Sequence, residues 1–204
     1  MSIASVSSRA SSPPGTILPE FLEEAALAVH AVLEQHSLRH FFIGGWQFCL
    51  LGFDRGTKDI DVEVEKPLIH GFEKVYAAFK SHPDFMVIDG RRTDAIRAIY
   101  SPHGGVGIDI FMRKGRMPRR GMNISIQDHA LPFLTPTHLL IEKIRTAGER
   151  SKDVDSRDIR FMFLHYEADI DLKKVRKKLT PRDIALAVKH HPGLDDLLAG
   201  LGVV

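Results

Sequence analysis

Two adjacent glycines and two spaced aspartates are the residues of this sequence with the clearest chemical potential. Gly44 and Gly45 follow a short apolar run, and thirteen residues separate Gly45 from Asp59, which is followed at i+2 by Asp61. A Gly-Gly turn lets backbone amides approach a phosphate closely, because no Cβ atom stands in the way. Two aspartates at i and i+2 of a strand project from one face, with Cβ atoms roughly 6–7 Å apart. The pattern predicts a site for a nucleoside triphosphate and for the magnesium that neutralises it.

The acidic run continues beyond Asp61, since Glu63 and Glu65 fall on the same face of the predicted strand. A solvated strand face is the plain alternative for such a run. Two carboxylates about 6 Å apart repel each other by about 0.7 kcal/mol in water and by about 3 kcal/mol at an effective dielectric constant of about 20. We therefore expect a cation among these carboxylates, either a cross-strand lysine or arginine or a metal ion.

A third acid, Asp109, lies between Ile108 and Ile110 in another predicted strand. The isoleucines mark the inward face, so Asp109 projects from the opposite face, as Asp59 and Asp61 do on theirs. If the two strands are neighbours, three carboxylates converge. Three such acids can hold two metal ions about 3.5–4 Å apart, the arrangement that clamps the attacking and leaving oxygens in phosphoryl chemistry.

Basic and hydroxyl groups flank these acids. Arg55, Thr57 and Lys58 form the turn into the Asp59 strand and are placed to donate charge-assisted hydrogen bonds to a triphosphate. Ordinary loop charges are the alternative interpretation of Arg55 and Lys58. Further along the chain, Lys143 is placed to reach the triphosphate from a helix, and a plain surface lysine is the alternative there.

These motifs together resemble the signature of the nucleotidyltransferase superfamily with the DNA polymerase β-like fold, in which Gly-Gly or Gly-Ser precedes an Asp-x-Asp pair. The Gly-Gly-Trp form ending at Trp46 is similar to the minimal nucleotidyltransferases that modify aminoglycoside and lincosamide antibiotics, and to toxin and abortive-infection relatives. Asp109 matches the third carboxylate of this superfamily. The segments 134–143 and 149–159 resemble the C-terminal helices of the same enzymes. Gln47 departs from the pattern, because many relatives have a small residue there.

The resemblance implies transfer of a nucleoside monophosphate from a nucleoside triphosphate, such as ATP, to a hydroxyl acceptor, with release of pyrophosphate. In such enzymes Asp59 and Asp61 would bridge two magnesium ions, and Asp109 would hold the ion on the acceptor side and take the acceptor's proton. The triphosphate would lie against Gly44 and Gly45. A small hydroxylated molecule is the first expectation for the acceptor. RNA or a protein is the alternative acceptor, and a non-catalytic nucleotide- or RNA-binding module of the same fold is the other alternative.

The predicted fold class is α+β: a small mixed β-sheet with helices on one face, followed by a C-terminal helical unit packed on it. We place the core at 19–132 and the helical unit at 133–204, with 1–18 as a disordered tail because this stretch is rich in serine and proline. Predicted strands are at 40–43, 59–65, 84–88, 95–100, 106–112 and 122–126. Predicted helices are at 19–37, 46–51, 67–79, 137–148, 156–167 and 171–179, with another beginning at Pro181.

The composition is ordinary for a soluble globular protein, with 28 basic and 26 acidic residues among 204 and a formal net charge of +2. A single cysteine, Cys49, excludes an internal disulfide and a cysteine-based metal cluster. None of the eleven histidines shows a strong metal-ligand spacing along the chain. No apolar run reaches the roughly 18 residues of a membrane span, so we expect a cytoplasmic protein without a membrane partner.

One short segment, 113–120, is strongly basic and contains no acid. Its five positive charges are Arg113, Lys114, Arg116, Arg119 and Arg120. Such a run can steer a polyanion such as RNA, or it can form a mobile loop near an anionic nucleotide.

Overall fold

The computed structural model describes residues 17–67, 70–90, 92–113 and 115–203, which form a mixed β-sheet with helices on both faces. The strands are β1 (His40–Ile43), β2 (Asp59–Glu65), β3 (Phe85–Ile88), β4 (Ala95–Tyr100), β5 (Val106–Arg113), β6 (Met122–Ile126) and β7 (His129–Phe133). The α-helices are α1 (Pro19–Gln35), α2 (Gly44–Leu50), α3 (Gly71–Lys80), α4 (Pro136–Glu149), α5 (Asp153–Tyr166), α6 (Leu172–Lys178), α7 (Pro181–His190) and α8 (Asp195–Ala199). The predicted α+β fold class is confirmed.

The seven strands form one sheet in the order β3-β4-β5-β2-β1-β7-β6. The pairs β2–β5 and β1–β7 are parallel, and the remaining neighbours are antiparallel. β4 and β5 form the predicted hairpin through the turn at 101–105. The two strands that carry the predicted acids, β2 and β5, therefore lie side by side at the centre of the sheet.

Successive side chains of a strand project from opposite faces of the sheet, so the alternation of apolar and polar residues decides which residues are buried on each face. On one face, the buried residues Ile60, Val62, Ile108 and Ile110 join a hydrophobic core that also includes the inner sides of α1 and α3. On the other face, Phe41 joins a second core built mainly from α4 to α8. The C-terminal helices therefore lie on the side of the sheet from which Asp59, Asp61 and Asp109 project, and they leave Asp59 and Asp109 partly exposed.

The helical bounds differ from prediction at a few ends, and one strand is new. α2 begins at Gly44 itself, α3 begins at Gly71 rather than at 67, and α5 begins at Asp153 rather than at 156. The strand β7 was not predicted, because its short sequence contains Pro132 and no clear alternation. It pairs with β1 and β6 and extends the sheet.

Three further predictions concern the domain division, the N-terminal tail and the membrane. The division into a core at 19–132 and a helical unit at 133–204 stays a prediction. Of the proposed tail at 1–18, the first sixteen residues lie outside the part of the chain that the structure describes, as does Lys114. Among the helices of the described residues, none is long and apolar enough to cross a membrane.

Candidate active site

Three carboxylates meet where β2 and β5 run side by side. The parallel register pairs Asp61 with Asp109 and Asp59 with Gly107. Neighbouring strands lie about 4.8 Å apart, and directly paired residues project from the same face. The structure thus brings together the three acids that the sequence singled out. Their role as metal ligands stays a prediction.

An arginine that the sequence reasoning did not identify lies among these acids. Arg97, on β4, is paired with Asp109 across the antiparallel β4–β5 ladder. Its Nη1 atom is 2.5 Å from Asp109 Oδ2 and 3.6 Å from Asp59 Oδ2. A Cβ atom on Gly107 would lie 2.3 Å from Arg97 Nη2, so the glycine leaves the space that the guanidinium fills. The expected cross-strand cation is therefore present.

Asp61 lies in an unfavourable electrostatic environment. Burial, followed by the charges of Asp59 and Asp109, raises the pKa of Asp61 to about 6, although Lys143 and a hydrogen bond from the Gly45 amide act in the opposite direction. The nearby cations thus do not fully compensate the three carboxylates, and the cluster would gain from further positive charge. All three side chains offer carboxylate oxygens, the ligands that magnesium prefers. The chemistry of this donor set fits magnesium.

The glycine turn packs directly against this cluster. Gly44 has a φ of +71°, and a Cβ atom there would lie 2.0 Å from Asp61 Oδ2. A Cβ atom on Gly45 would lie 2.9 Å from both Arg55 Nη2 and Thr57 Oγ1. Gly44 therefore requires glycine for its backbone conformation and for close approach to the acid, whereas Gly45 allows close approach of the Arg55 and Thr57 side chains. The turn thus packs against both the 55–57 loop and Asp61.

The helix after the turn is anchored in both cores. Trp46 is 2% exposed, and its ring lies 5.5 Å from the ring of Phe42 between centroids. It is a core residue and lies beneath the turn. Gln47 is also buried, and its Nε2 atom donates a hydrogen bond to the Leu134 carbonyl at 2.6 Å. Gln47, at a position where many relatives have a small residue, thus ties α2 to the segment before α4.

Two of the predicted triphosphate ligands take part in a buried ion-pair network. Arg55 Nη1 lies 2.6 Å and Lys143 Nζ 2.7 Å from Asp158 Oδ2, and Lys143 also lies 3.2 Å from Asp155 Oδ1. Arg150 completes the network at 2.7 Å from Asp155 Oδ2. Both aspartate side chains have no exposed surface. The network holds Arg55 beside Gly45 and joins α4 and α5 to the loop before β2.

The remaining predicted ligands lie nearer to solvent. Thr57 donates a hydrogen bond from Oγ1 to the Asp59 carbonyl at 3.1 Å, which shapes the turn into β2. Lys58 is exposed, and its ammonium makes no ion pair within the described residues. Whether Gly44, Gly45, Arg55, Thr57, Lys58 and Lys143 bind nucleotide stays a prediction.

A cavity of about 440 Å³ opens beside Asp109 and Arg97. Phe72, Tyr76 and Phe111 provide much of its apolar lining. Its volume lies within the range of about 300–1,000 Å³ typical of small-molecule sites. A ligand in this cavity would reach the cluster from the side of the third carboxylate.

A second cavity, of about 490 Å³, lies between the end of β5, the segment after it and the helices α4 and α6. Its basic lining residues are Arg113, Arg116, Arg119, Arg145, Lys174 and Lys178. Glu142 is the one acid of the lining in the described residues, and it lies 3.1 Å from Arg113 and 3.3 Å from Arg145. Burial, together with the charges of Lys174, Arg113 and Lys178, lowers the pKa of His138 in this cavity to about 4. We call this space the basic cavity.

No family model matches the sequence, and no curated protein matches it. The fold is similar to that of an antigenic nucleotidyltransferase-like protein from Paracoccidioides brasiliensis, with a TM-score of 0.62 and 19% identity over 90% of this chain and 94% of that one. It is also similar to the nucleotidyltransferase toxin MenT4 from Mycobacterium tuberculosis, with a TM-score of 0.59 and 14% identity over 90% and 84% of the two chains.

A third similar structure is the lincosamide antibiotic adenylyltransferase LnuA, solved with lincomycin bound. The TM-score is 0.51 and the identity 15%, over 72% of this chain and 97% of that one. The chain therefore has the nucleotidyltransferase fold that the sequence resemblance implied.

Proposed function

We propose that this protein is a magnesium-dependent nucleotidyltransferase that transfers a nucleoside monophosphate from a nucleoside triphosphate to a hydroxyl acceptor. The observation that carries the proposal is the direct pairing of Asp61 with Asp109, with Asp59 and the Gly44 turn beside them. The fold agrees with this activity, since the similar structures are described as nucleotidyltransferases or nucleotidyltransferase-like.

Asp59, Asp61 and Asp109 would hold the magnesium, which we propose as two ions. When bound, magnesium neutralises the triphosphate and makes the acceptor hydroxyl more acidic. Asp61 would gain from this charge, because burial, followed by the charges of Asp59 and Asp109, raises its pKa. Arg97 compensates Asp59 and Asp109 in the metal-free protein, and we expect it to release at least one of them when the ions bind.

The remaining groups position the donor and the acceptor. The Gly44–Gly45 turn would lie along the triphosphate, and the exposed Lys58 would reach its outer phosphates. Asp109 borders the 440 Å³ cavity and would accept the proton of an acceptor hydroxyl there. The acceptor oxygen forms a bond to the α-phosphorus as the bond to pyrophosphate breaks. Positioning and charge would supply most of the catalysis.

A small hydroxylated molecule is our first candidate for the acceptor. The cavity beside Asp109 has the size and the aromatic lining of a small-molecule site. LnuA, which shares the fold, was solved with a small antibiotic bound.

RNA is the second candidate, and the basic cavity favours it. Arg113 lies four residues beyond Asp109 on the same face of β5, so the cavity begins about 13 Å from the acid cluster. Six basic side chains against one acid form a surface suited to the phosphate backbone. Arg113, Arg116 and Arg119 line this cavity, whereas Arg120 is not among the lining residues.

A transfer assay with labelled nucleoside triphosphates tests the proposal. Each of the four nucleotides, labelled at the α-phosphate, would be incubated with magnesium and with separate pools of small molecules, RNA and cell protein. We expect label to be transferred to one pool by the wild type and by Glu65→Gln, a variant on the same face of β2 but outside the cluster. Asp61→Asn and Asp109→Asn should transfer no label.

Two outcomes would contradict the proposal. Nucleotide binding without transfer to any pool would indicate a non-catalytic binding module of the same fold. Full transfer by Asp61→Asn would remove that residue from the metal site. Transfer to protein alone would support the proposed activity and would exclude both a small molecule and RNA as the acceptor.

A further inference from the structure

Two histidines and a glutamate meet on the side of the sheet opposite the acid cluster. His40 begins β1 and is paired with Val64 of β2, whereas Ile43 is paired with Asp61. Paired residues share a face, and positions three residues apart on a strand lie on opposite faces. His40 therefore projects away from Asp61, toward α1, which carries His30 and Glu34.

The ligand atoms of these three residues converge. His30 Nδ1 lies 2.9 Å from His40 Nε2, and one ligand atom from each of His30, Glu34 and His40 lies within 4.8 Å of the other two. His30 and Glu34 are one turn apart on α1, so both face the start of β1. The sequence does not reveal this cluster, because His30 and His40 lie on different elements that only the tertiary fold brings into contact.

The hydrogen bond behind His40 directs its lone pair into the cluster. His40 Nδ1 lies 2.8 Å from the Leu38 carbonyl oxygen, and a carbonyl only accepts hydrogen bonds, so Nδ1 carries the proton. In the neutral imidazole, which burial of His40 favours, Nε2 is then unprotonated and points at His30. A carbonyl partner on the far nitrogen is the usual arrangement behind metal-binding histidines, because it fixes both the tautomer and the orientation of the ring.

We propose that His30, Glu34 and His40 bind a divalent transition-metal ion, with zinc as the first candidate. Two imidazoles and one carboxylate suit zinc, whereas magnesium and calcium prefer oxygen ligands alone. In a tetrahedral zinc site with ligand distances of about 2.0–2.2 Å, ligand atoms lie about 3.3 Å apart. The two imidazole nitrogens lie 2.9 Å apart, and all three ligand atoms lie within 4.8 Å of one another, so a modest adjustment of the side chains would bring them to that spacing.

The burial of the three residues allows this adjustment and gives an ion access. His40 is 2% exposed and fixed, His30 is partly buried, and Glu34 is exposed. Glu34 can therefore swing inward from solvent to complete the three-residue ligand set, leaving a fourth position for water. The ion would tie α1 to β1, the strand that leads directly into the Gly44 turn, and so would brace the base of the proposed active site.

Titration of the full-length protein with zinc and with cobalt(II), in excess magnesium, tests this site. Magnesium occupies oxygen ligands but competes poorly for imidazole. We expect one saturable equivalent, a visible cobalt absorption and a higher melting temperature with zinc. His30→Gln and Glu34→Gln should each weaken binding by at least about tenfold. His190→Gln, which removes a distant imidazole on α7, should bind as the wild type does.

These variants also keep the test independent of folding and of the acid cluster. His30 and Glu34 reach the surface, so the proposal does not depend on substituting the buried His40. Asp61→Asn should retain zinc binding. Loss of binding in Asp61→Asn would assign the ion to the acid cluster and overturn the proposal. Absence of saturable zinc binding, or unchanged affinity in both His30→Gln and Glu34→Gln, would overturn it as well.

Discussion

Asp61 on β2 and Asp109 on β5 lie side by side on one face of the sheet, because the parallel register pairs them directly. Their closeness thus follows from backbone pairing at the centre of the sheet and does not depend on flexible side chains. Arg97 approaches the pair from β4 and bonds to Asp109, while Lys143 acts on Asp61 from α4 by charge. The stability of the metal-free protein should therefore depend on how this cluster is protonated.

Asp61→Asn should make the metal-free protein more stable at neutral pH. When the pKa of an acid is higher in the folded protein than in the unfolded chain, the folded protein loses stability as pH rises between the two values. For Asp61 that range runs from 3.8 to about 6. Since one pKa unit corresponds to about 1.4 kcal/mol, the variant should gain up to about 3 kcal/mol over the wild type at pH 7.

Urea unfolding of both proteins from acid to neutral pH, in the presence of a chelator, measures this gain. Near the lower end of the range the two unfolding free energies should coincide, because the wild-type carboxyl is then protonated. The groups that face Asp61 are Asp59, Asp109, Lys143 and Arg150. A variant that is less stable than the wild type at every pH would contradict the unfavourable burial and charge repulsion assigned to Asp61.

Arg97→Ala should strengthen magnesium binding. The guanidinium competes with a metal ion for Asp59 and Asp109. It is 41% exposed, so solvent screens its charge, and we expect a gain of about tenfold in affinity rather than the larger value of a buried charge. Calorimetric titration with magnesium measures the change.

The matched control is Arg92→Ala, an exposed arginine that borders the same cavity and pairs with Asp94. Its charge acts on Asp109 only weakly, after its direct pairing with Asp94, so its removal should raise magnesium affinity far less than Arg97→Ala does. If Arg97→Ala instead weakens magnesium binding, Arg97 orients the carboxylates for the ion and does not compete with it.

Gly44→Ala should abolish nucleotide binding and destabilise the fold. The new Cβ atom would lie 2.0 Å from Asp61 Oδ2, and the φ of +71° is strained for alanine. Strain of this kind costs about 1–3 kcal/mol, and relief by moving Asp61 would disrupt the acid cluster. Fluorescence titration with a nucleotide analogue and thermal unfolding test both effects. Gly200→Ala, whose nearest atom lies at 3.5 Å, should behave as the wild type, and equal behaviour of the two variants would be inconsistent with the packing described.

Parts of this site follow from local patterns, and other parts depend on tertiary contacts. The convergence of Asp59, Asp61 and Asp109 was predictable, because alternation sets the strand faces and the resemblance pairs the strands. Arg97 was within reach as well, since the predicted hairpin of β4 and β5 places it opposite Asp109. The network around Asp155 and Asp158 was not predictable, because its members come from a loop and two helices with no shared periodicity. β7 was missed for a local reason, since Pro132 interrupts its pattern.

Asp158→Asn should destabilise the protein more than any other single change to an acid considered above. Asp158 is fully buried and bonds to Arg55 and Lys143, so its removal leaves two cations in a low-dielectric region with less compensation. Breaking one partner of a buried ion pair costs about 3–5 kcal/mol. Because Arg55 lies beside Gly45, nucleotide affinity should fall together with stability.

Chemical denaturation of Asp158→Asn, beside Asp153→Asn at the exposed start of α5, separates this network from the general effect of removing an acid. The exposed variant should change the unfolding free energy by less than about 0.5 kcal/mol. A small effect of Asp158→Asn would mean that Asp155 alone compensates Lys143 and that water reaches Arg55. In that case both cations would be free to turn toward the triphosphate, and Arg55→Ala and Lys143→Ala should then lower nucleotide affinity without lowering stability.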